Sequence, residues 1–305
     1  MSTPTLSPSQ RAWQQFYRNP ISITSFWVLV VLIFVVVLHP WISHQSPTAL
    51  TDAIAQPPSS SHWFGTDLMG RDLLSRLMYG ARISMLVGIV GAGVSLLIGV
   101  GWGAVAGYAG GRWDEVMMRI VDILYSLPSV IFVIVLITTL EGLFKNWLQQ
   151  TFSNETAGMA RLLFLFAGLG AVSWLTMARI VRGEVLSLST SNFVDASRAM
   201  GASHFHILRT HILPNVAGVV IVYLTLTIPS VILYESFLSY LGLGIQPPQA
   251  SLGSLMAEGA AQINPIRIYW WMVVFPGMLL VVMLLALNFI GDGLRDALDP
   301  HGRHR

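Results

Sequence analysis

The chain has 305 residues, of which 54% are apolar and only 10% are Lys, Arg, Asp or Glu, less than half the charged share of an ordinary soluble protein. A mean hydropathy of +0.64 and a formal charge of +2 exclude a disordered chain and a nucleic-acid surface, both of which need charge rather than apolar bulk. There is no cysteine, so disulfides, thiolate metal sites and thiol catalysis are excluded too, and a membrane protein remains.

After a polar N-terminal segment, 1–20, the apolar pattern predicts six helices that cover or nearly cover a hydrocarbon layer of about 30 Å. They fall at 21–38, 83–105, 121–140, 162–180, 216–233 and 268–289. None alternates as a β-barrel strand would, so the expected class is an all-α integral membrane protein. The third span is the weakest at its start, where Asp122, Ser126 and Pro128 interrupt it. The first is too long for a signal peptide and reads as a retained helix. Lys and Arg set the orientation. With both termini in the cytosol, eleven of the seventeen lie on the cytosolic side, which favours N-in, C-in. The core domain is then 83–291, and 292–305 is a cytosolic tail.

The outside segment 39–82 starts as a Ser, Pro and Gln-rich loop and becomes organised at Gly65-Thr66-Asp67. Thr66 or Asp67 is the expected cap of an interfacial helix that leads into the second span and whose apolar face carries Leu73, Leu74, Leu77 and Met78. Asp67 with Arg71, and Asp72 with Arg76, are spaced four apart and are expected to pair, which leaves little case for a metal or catalytic carboxylate pair. On the cytosolic side, Gly107, Gly110 and Gly111 predict a turn, with a helical stretch from Asp114 and Glu115. That turn is either a membrane-surface connector or a contact for a cytosolic partner.

The longest cytosolic segment, 182–215, is not loop-like throughout. Asn192 is the expected cap of a short helix with Asp195 near its positive end and a small-residue face of Ala196, Ala199 and Met200. Gly201 breaks that helix, Ser203 restarts a second, and Pro214 fits the first turn of the fifth span, where its missing N–H is no loss. The result is a compact knob held between two membrane helices. His204, His206 and His211 do not share one helical face, so a metal site there is not expected.

Asp195-Ala196-Ser197, three residues, Gly201, nine residues, and His211-Ile212-Leu213-Pro214 resemble the EAA loop of bacterial ABC importer permeases, with Asp195, Ser197 and His211 in place of Glu, Ala and Ile. Phe64-Gly65-Thr66-Asp67 with Gly70-Arg71-Asp72, the Gly107-Tyr108-Ala109-Gly110-Gly111 turn, and Gly291-Asp292-Gly293-Leu294-Arg295 are similar to the C-type permeases of peptide and nickel importers. Ser173-Trp174-Leu175 and Tyr234-Glu235-Ser236-Phe237-Leu238 are similar to the C subunit of the oligopeptide permease.

The resemblance implies a type I importer bundle in the bacterial inner membrane and a homologous B-type permease as partner. It further implies two cytosolic ATPase subunits and an extracytoplasmic peptide-binding protein. It makes Asp195, Ala196, Ser197, Gly201, His211, Leu213 and Pro214 the ATPase-coupling residues, in a loop of 192–214.

No Walker A motif is present and the one lysine is Lys145, so the chain is expected to bind no cofactor itself and to draw on ATP through its partners. Small and hydroxyl residues within the spans, Ser95, Gly99, Ser173, Thr225, Thr227 and Ser230, fit a peptide path without tight pockets. Asp122 and Glu235 are expected to be satisfied interfacial carboxylates. The alternatives are a complex of the same type that carries dipeptides or nickel, and a self-sufficient secondary carrier. A carrier wants a mid-membrane ionisable residue or paired repeats, and neither is evident.

Overall fold

The computed structural model describes residues 8–43, 45–128, 130–136, 138–139, 142–143, 154–245, 247, 249–263 and 267–298. Lys145 and the end of the tail, with Arg303 and Arg305, lie outside the described residues. The elements in order are α1 (Pro8–Arg18), α2 (Pro20–Ile42), α3 (Leu73–Ala109), α4 (Gly111–Ser126), α5 (Val130–Leu136) and α6 (Asn154–Ser189). There follow α7 (Asn192–Ala199), α8 (His204–Ile207), a π-helical turn (Leu208–Ile212), α9 (Leu213–Tyr240), α10 (Leu252–Ala260) and α11 (Trp271–Leu298). Among the described residues there is no strand beyond one isolated bridge, Thr66 with Asp72. Four helices are long and apolar enough to cross a membrane: α2, α3, α11, and the continuous stretch His204–Tyr240. A fifth crossing is counted if α4 and α5, which meet at a 100° bend, form one span. Pro128 sits in that bend, where the sequence pattern was already broken.

The chain divides into two compact units. One comprises Met1–Phe16, Val90–Ile228 and Gly291–Arg305. In it α3 and α6 run parallel, because Gly91 meets Gly170, Gly99 meets Met177, Gly103 meets Ala178 and Gly107 meets Arg182. Gly99, Gly103 and Gly107 recur every four residues and so line one face of α3. An added Cβ would lie 2.6 Å from the Met177 side chain at Gly99 and 2.7 Å from the Arg182 carbonyl oxygen at Gly107. Only hydrogen on that face lets the two backbones approach. At the base of this pair, Arg182 makes a two-pronged bond to the Asp114 carboxylate, at 2.8 and 2.5 Å. Arg179 bonds Asp122 at 2.7 Å and lies 4.1 Å over the Tyr125 ring. The Asp122 carboxylate is thus satisfied by an arginine. In the same unit α1 is a helix that the polar N-terminal sequence did not announce, and Gln15 on it donates to the Asp296 carbonyl at 3.0 Å.

The other unit comprises Tyr17–Ile89 and Pro229–Ile290. Asn19 caps α2, its Oδ1 accepting from the Ile21 and Ser22 amides, with Pro20 preset in the first turn. Near the other end Pro40 has no N–H for the Val36 carbonyl, and Arg82 donates to that oxygen instead, at 2.9 Å.

In the outside segment the structure departs from two expectations, the cap of the helix and the partner of Arg76. The helix expected to lead into the second span is the first part of α3, which runs without a break from Leu73 to Ala109. Its cap is Asp72, whose Oδ2 accepts from the Ser75 amide at 2.9 Å, and not Thr66 or Asp67. Asp67 instead folds the preceding turn, accepting from the Met69 and Arg71 amides at 2.8 and 2.9 Å. Asp67 pairs with Arg71 at 2.6 Å as the spacing suggested, but Arg76 does not pair with Asp72. Arg76, 3% exposed, reaches Asp67 at 2.7 Å and forms a fork on Glu258 of α10 at 2.6 and 2.9 Å. Asp72 takes His62 at 3.0 Å. A four-residue spacing offers a partner; a capping role for Asp72 and a distant carboxylate outbid it.

Around this network Phe64 stacks on Phe275 with ring centroids 4.2 Å apart, and Trp271 Nε1 donates to the Thr66 carbonyl at 3.1 Å. Glu235 near the end of α9 is fully buried, and the hydroxyl of Ser239 donates to it at 2.6 Å, with those of Ser84 and Ser236 at 3.5 Å. It is a satisfied carboxylate, held by hydroxyls rather than by a cation.

Candidate coupling site

The cytosolic segment read as starting at Arg182 is helical almost throughout. α6 continues to Ser189, and the knob begins at Ser191, whose backbone is extended (φ −83°, ψ 149°) and which precedes the first helical residue, Asn192. Asn192 is therefore not the cap. The Ser191 hydroxyl itself bonds back to the Leu188 carbonyl at 2.5 Å, so it closes α6 rather than opening α7. Asp195 lies in the first turn of α7, exposed, and pairs with Arg198 at 3.2 Å. Ala196 and Ala199 are exposed beside it, while Ser197 is buried and its hydroxyl donates to the Phe193 carbonyl at 3.0 Å.

α7 ends in a Schellman turn. The Gly201 amide bonds the Arg198 carbonyl at 2.9 Å and the Ala202 amide bonds that of Ser197 at 3.1 Å, with Gly201 at φ +83°. A Cβ at Gly201 would meet nothing within 4 Å, so it is the backbone angle that requires glycine. Ser203 then caps α8, accepting from the His206 amide at 3.3 Å, as its position in the sequence indicated.

The return to the membrane differs from the expected fresh start at Pro214. α8, the π turn and α9 form one helical run, His204–Tyr240. In the π turn the Leu213 amide reaches back five residues to the Leu208 carbonyl. Pro214, next in line, has no amide with which to resume the regular pattern, so the π turn and the proline occupy consecutive positions. His211 sits within that turn, its carbonyl accepting from the Asn215 side chain at 2.6 Å and its ring 5.9 and 6.4 Å from those of His206 and Phe193. His204 instead bonds the Tyr108 hydroxyl at 2.9 Å, tying the knob to the end of α3. Among the described residues no group of three or more His, Asp or Glu is placed to hold a metal ion.

The knob is welded to its supports by one apolar cluster. Val194 of α7, Ile207 of α8 and Ile212 of the π turn are fully buried with Val181 and Val185 of α6 and Val216 of α9, and Leu213 packs against them. Of the seven residues singled out from the sequence, Ser197 and Leu213 thus face inward, while Asp195, Ala196, Gly201 and Pro214 are exposed and His211 is half-buried. Three exposed apolar side chains share the knob's outer surface, of which only Met200 was picked out from the sequence, as part of the small-residue face. They are Phe193, Met200 (81% exposed) and Phe205 (71% exposed). Their signal was present, since large apolar residues on a short polar helix pair are a recognisable contact mark.

Several of the small and hydroxyl residues inside the spans have local partners. Ser173, Thr225 and Thr227 bond carbonyls of their own helices at 3.4, 2.7 and 2.7 Å, and Gly99 serves helix packing.

Comparison with known proteins completes the description. Residues 99–304 match the family described as binding-protein-dependent transport system inner membrane component. Residues 7–58 match the N-terminal TM domain of oligopeptide transport permease C. The oligopeptide transport system permease protein OppC of Escherichia coli (strain K12) is 44% identical over 298 residues, covering 96% of this chain and 91% of that protein. The dipeptide transport system permease protein DppC of Bacillus subtilis (strain 168) is 42% identical over 299 residues, covering 97% and 87%. Among solved structures, an inward-facing MetNI methionine ABC transporter chain superposes with a TM-score of 0.54 at 20% identity, over 72% of this chain and 95% of that one, which is a likeness of fold. An integral membrane chain that matches both family descriptions and aligns with these permeases over nearly its whole length belongs to the binding-protein-dependent inner membrane components, the permeases of ABC importers, on their C-type branch.

Proposed function

We propose that this chain is the C-type permease subunit of an ATP-driven importer of oligopeptides in the bacterial inner membrane, and that it couples to separate ATPase subunits through the knob at 192–214. The observation that carries the proposal is the buried cluster of Val194, Ile207 and Ile212 with Val181, Val185 and Val216. Force applied to the exposed face of the knob passes directly into α6 and α9, because a close-packed cluster transmits displacement instead of absorbing it. In this reading ATP closes two partner ATPases, each holding one coupling knob in a groove, and the tilt of α6 and α9 switches access to a path shared with a B-type permease. An extracytoplasmic binding protein delivers the peptide. The chain itself hydrolyses nothing, in keeping with the absence of a Walker A motif from its sequence.

The proposed topology is six crossings with both termini in the cytosol. The parallel course of α3 and α6 supports it, since the segment between them must return across the bilayer before α6 starts. α6, at 36 residues, is then the fourth crossing, and the bent pair α4 and α5 belongs to the third. Peptide cargo is supported by the relatives named for oligopeptide and dipeptide transport, and the similar identity of the two leaves dipeptides as the second reading.

Affinity purification of the chain from native membranes tests the proposal. Recovery of a second permease and two Walker-motif subunits at fixed stoichiometry is expected. A chain that purifies alone and moves solute into liposomes without ATP would overturn it in favour of a secondary carrier.

A further inference from the structure

The end of α2 and the first turns of α3, both in the unit that contains Tyr17–Ile89, enclose a cavity of about 220 Å³. Its lining combines two chemistries. Pro40, Pro47 and Met78 are apolar, whereas His39, Tyr79 and Arg82 offer hydrogen-bond donors and a fixed positive charge. Arg82 commits one amino group to the Val36 carbonyl that Pro40 leaves unpaired, which anchors the guanidinium at the cavity wall with donors to spare. The His39 Nε2 is buried with no hydrogen-bond partner among the described residues.

No carboxylate lines the cavity among those residues. The carboxylate whose charge reaches His39 is Asp72, and it is already engaged by the His62 ring at 3.0 Å and the Ser75 amide at 2.9 Å. Among the lining residues the one fixed charge is thus the Arg82 guanidinium, a group that suits an anion. The depth of the site is marked by α2 itself. Phe34, Val35 and Val37 are exposed apolar residues, and beyond them comes Trp41, 74% exposed, the residue type that collects where hydrocarbon gives way to water.

We propose that this cavity binds the phosphate headgroup of an anionic phospholipid. The planar guanidinium of Arg82 suits phosphate oxygens, the Tyr79 hydroxyl and His39 Nε2–H add donors, and the proline and methionine wall receives the glycerol. The acyl chains then follow the exposed apolar face of α2, which supplies the one environment that a soluble phosphate does not need. The site is separate from the coupling knob and does not depend on which solute the importer carries.

Native mass spectrometry of the full chain purified in detergent tests this, with phosphatidylglycerol and phosphatidylcholine of identical acyl chains as probes. One phosphatidylglycerol per chain is expected, preferred about tenfold or more over phosphatidylcholine, because the choline cation beside the same phosphate is repelled by Arg82 and offers no hydroxyl to the polar lining. Arg82→Gln keeps a donor for the Val36 carbonyl but removes the charge, and is expected to lower phosphatidylglycerol retention by a similar factor. Equal binding of the two lipids, or unchanged retention in Arg82→Gln, would overturn the proposal. Release of phosphatidylglycerol by millimolar inorganic phosphate would also overturn it and assign the cavity to a soluble phosphate. Should Arg82→Gln fail to insert, Ser46→Asp puts a repelling carboxylate on an exposed residue at the cavity rim. The same loss is expected there, and undiminished retention would refute the site.

Discussion

Replacing Gly201 isolates the one backbone angle on which the knob's shape depends. Its φ of +83° is a conformation that costs a residue with a Cβ about 1–2 kcal/mol. Because an added Cβ would meet nothing within 4 Å, the penalty at that atom is conformational and not steric. A penalty of that size shifts the balance between the intact Schellman turn and a frayed α7 by a factor of about 5 to 30. Gly201→Leu is therefore expected to insert normally, retain the buried cluster around Val194, and lose most of the ATPase that copurifies with it. Gly201→Asn is the control, since asparagine tolerates positive φ better than other residues with a side chain. The assay is the ratio of ATPase to permease after purification, together with peptide-stimulated ATP hydrolysis in liposomes. Normal values for Gly201→Leu would refute the reasoning. Equal damage from Gly201→Asn would show that space on the outer face, and not the backbone angle, is what Gly201 provides.

The remaining predictions concern the supports. Arg76→Met leaves the buried Asp67 carboxylate with one cation fewer and is expected to cost about 3–5 kcal/mol, read as a lowered midpoint in thermal unfolding in detergent. Gly103→Ala drives a methyl group into the Ala178 carbonyl and is expected to cost about 1–3 kcal/mol, because α3 and α6 must part. Gly101→Ala, two residues away with nothing within 4 Å, is expected to be neutral or to stabilise α3 by up to about 1 kcal/mol in the same assay. Ser203→Ala removes the cap of α8 and is expected to cost about 1 kcal/mol, seen as faster amide exchange at His206 and Ile207.

The parts of the fold legible in the sequence were those set by local patterns. Apolar runs located the long helices, Pro128 marked the bend between α4 and α5, and Gly201 with Ser203 fixed the break and restart of the knob. What the sequence hid depends on distant partners or on continuity. Arg76 has an acidic neighbour four residues back, yet its stronger partner, Glu258, lies 182 residues away and no local rule points to it. The helix expected to lead into the second span does so without a break, but its start was misplaced at Thr66 or Asp67, because Asp67 is spent on the preceding turn and Asp72 caps α3. Pro214 looked like a helix start because proline is at home in a first turn; a π turn just before it lets the helix run through. The glycine stripe at Gly99, Gly103 and Gly107 was readable as a four-residue period, but only the position of α6 shows what it packs against.

The central claim is that the exposed face of the knob is where a separate ATPase engages this chain. The protein has no cysteine, so a single one placed at Met200 is the only thiol it carries. In native membranes, Met200→Cys with a short bifunctional thiol-to-amine reagent is predicted to crosslink to a Walker-motif subunit, with a yield that changes when ATP is added. Trp63→Cys, at an exposed residue of the segment before α3, is predicted to give no such product. An ATPase crosslink from Trp63→Cys and none from Met200→Cys would contradict the account.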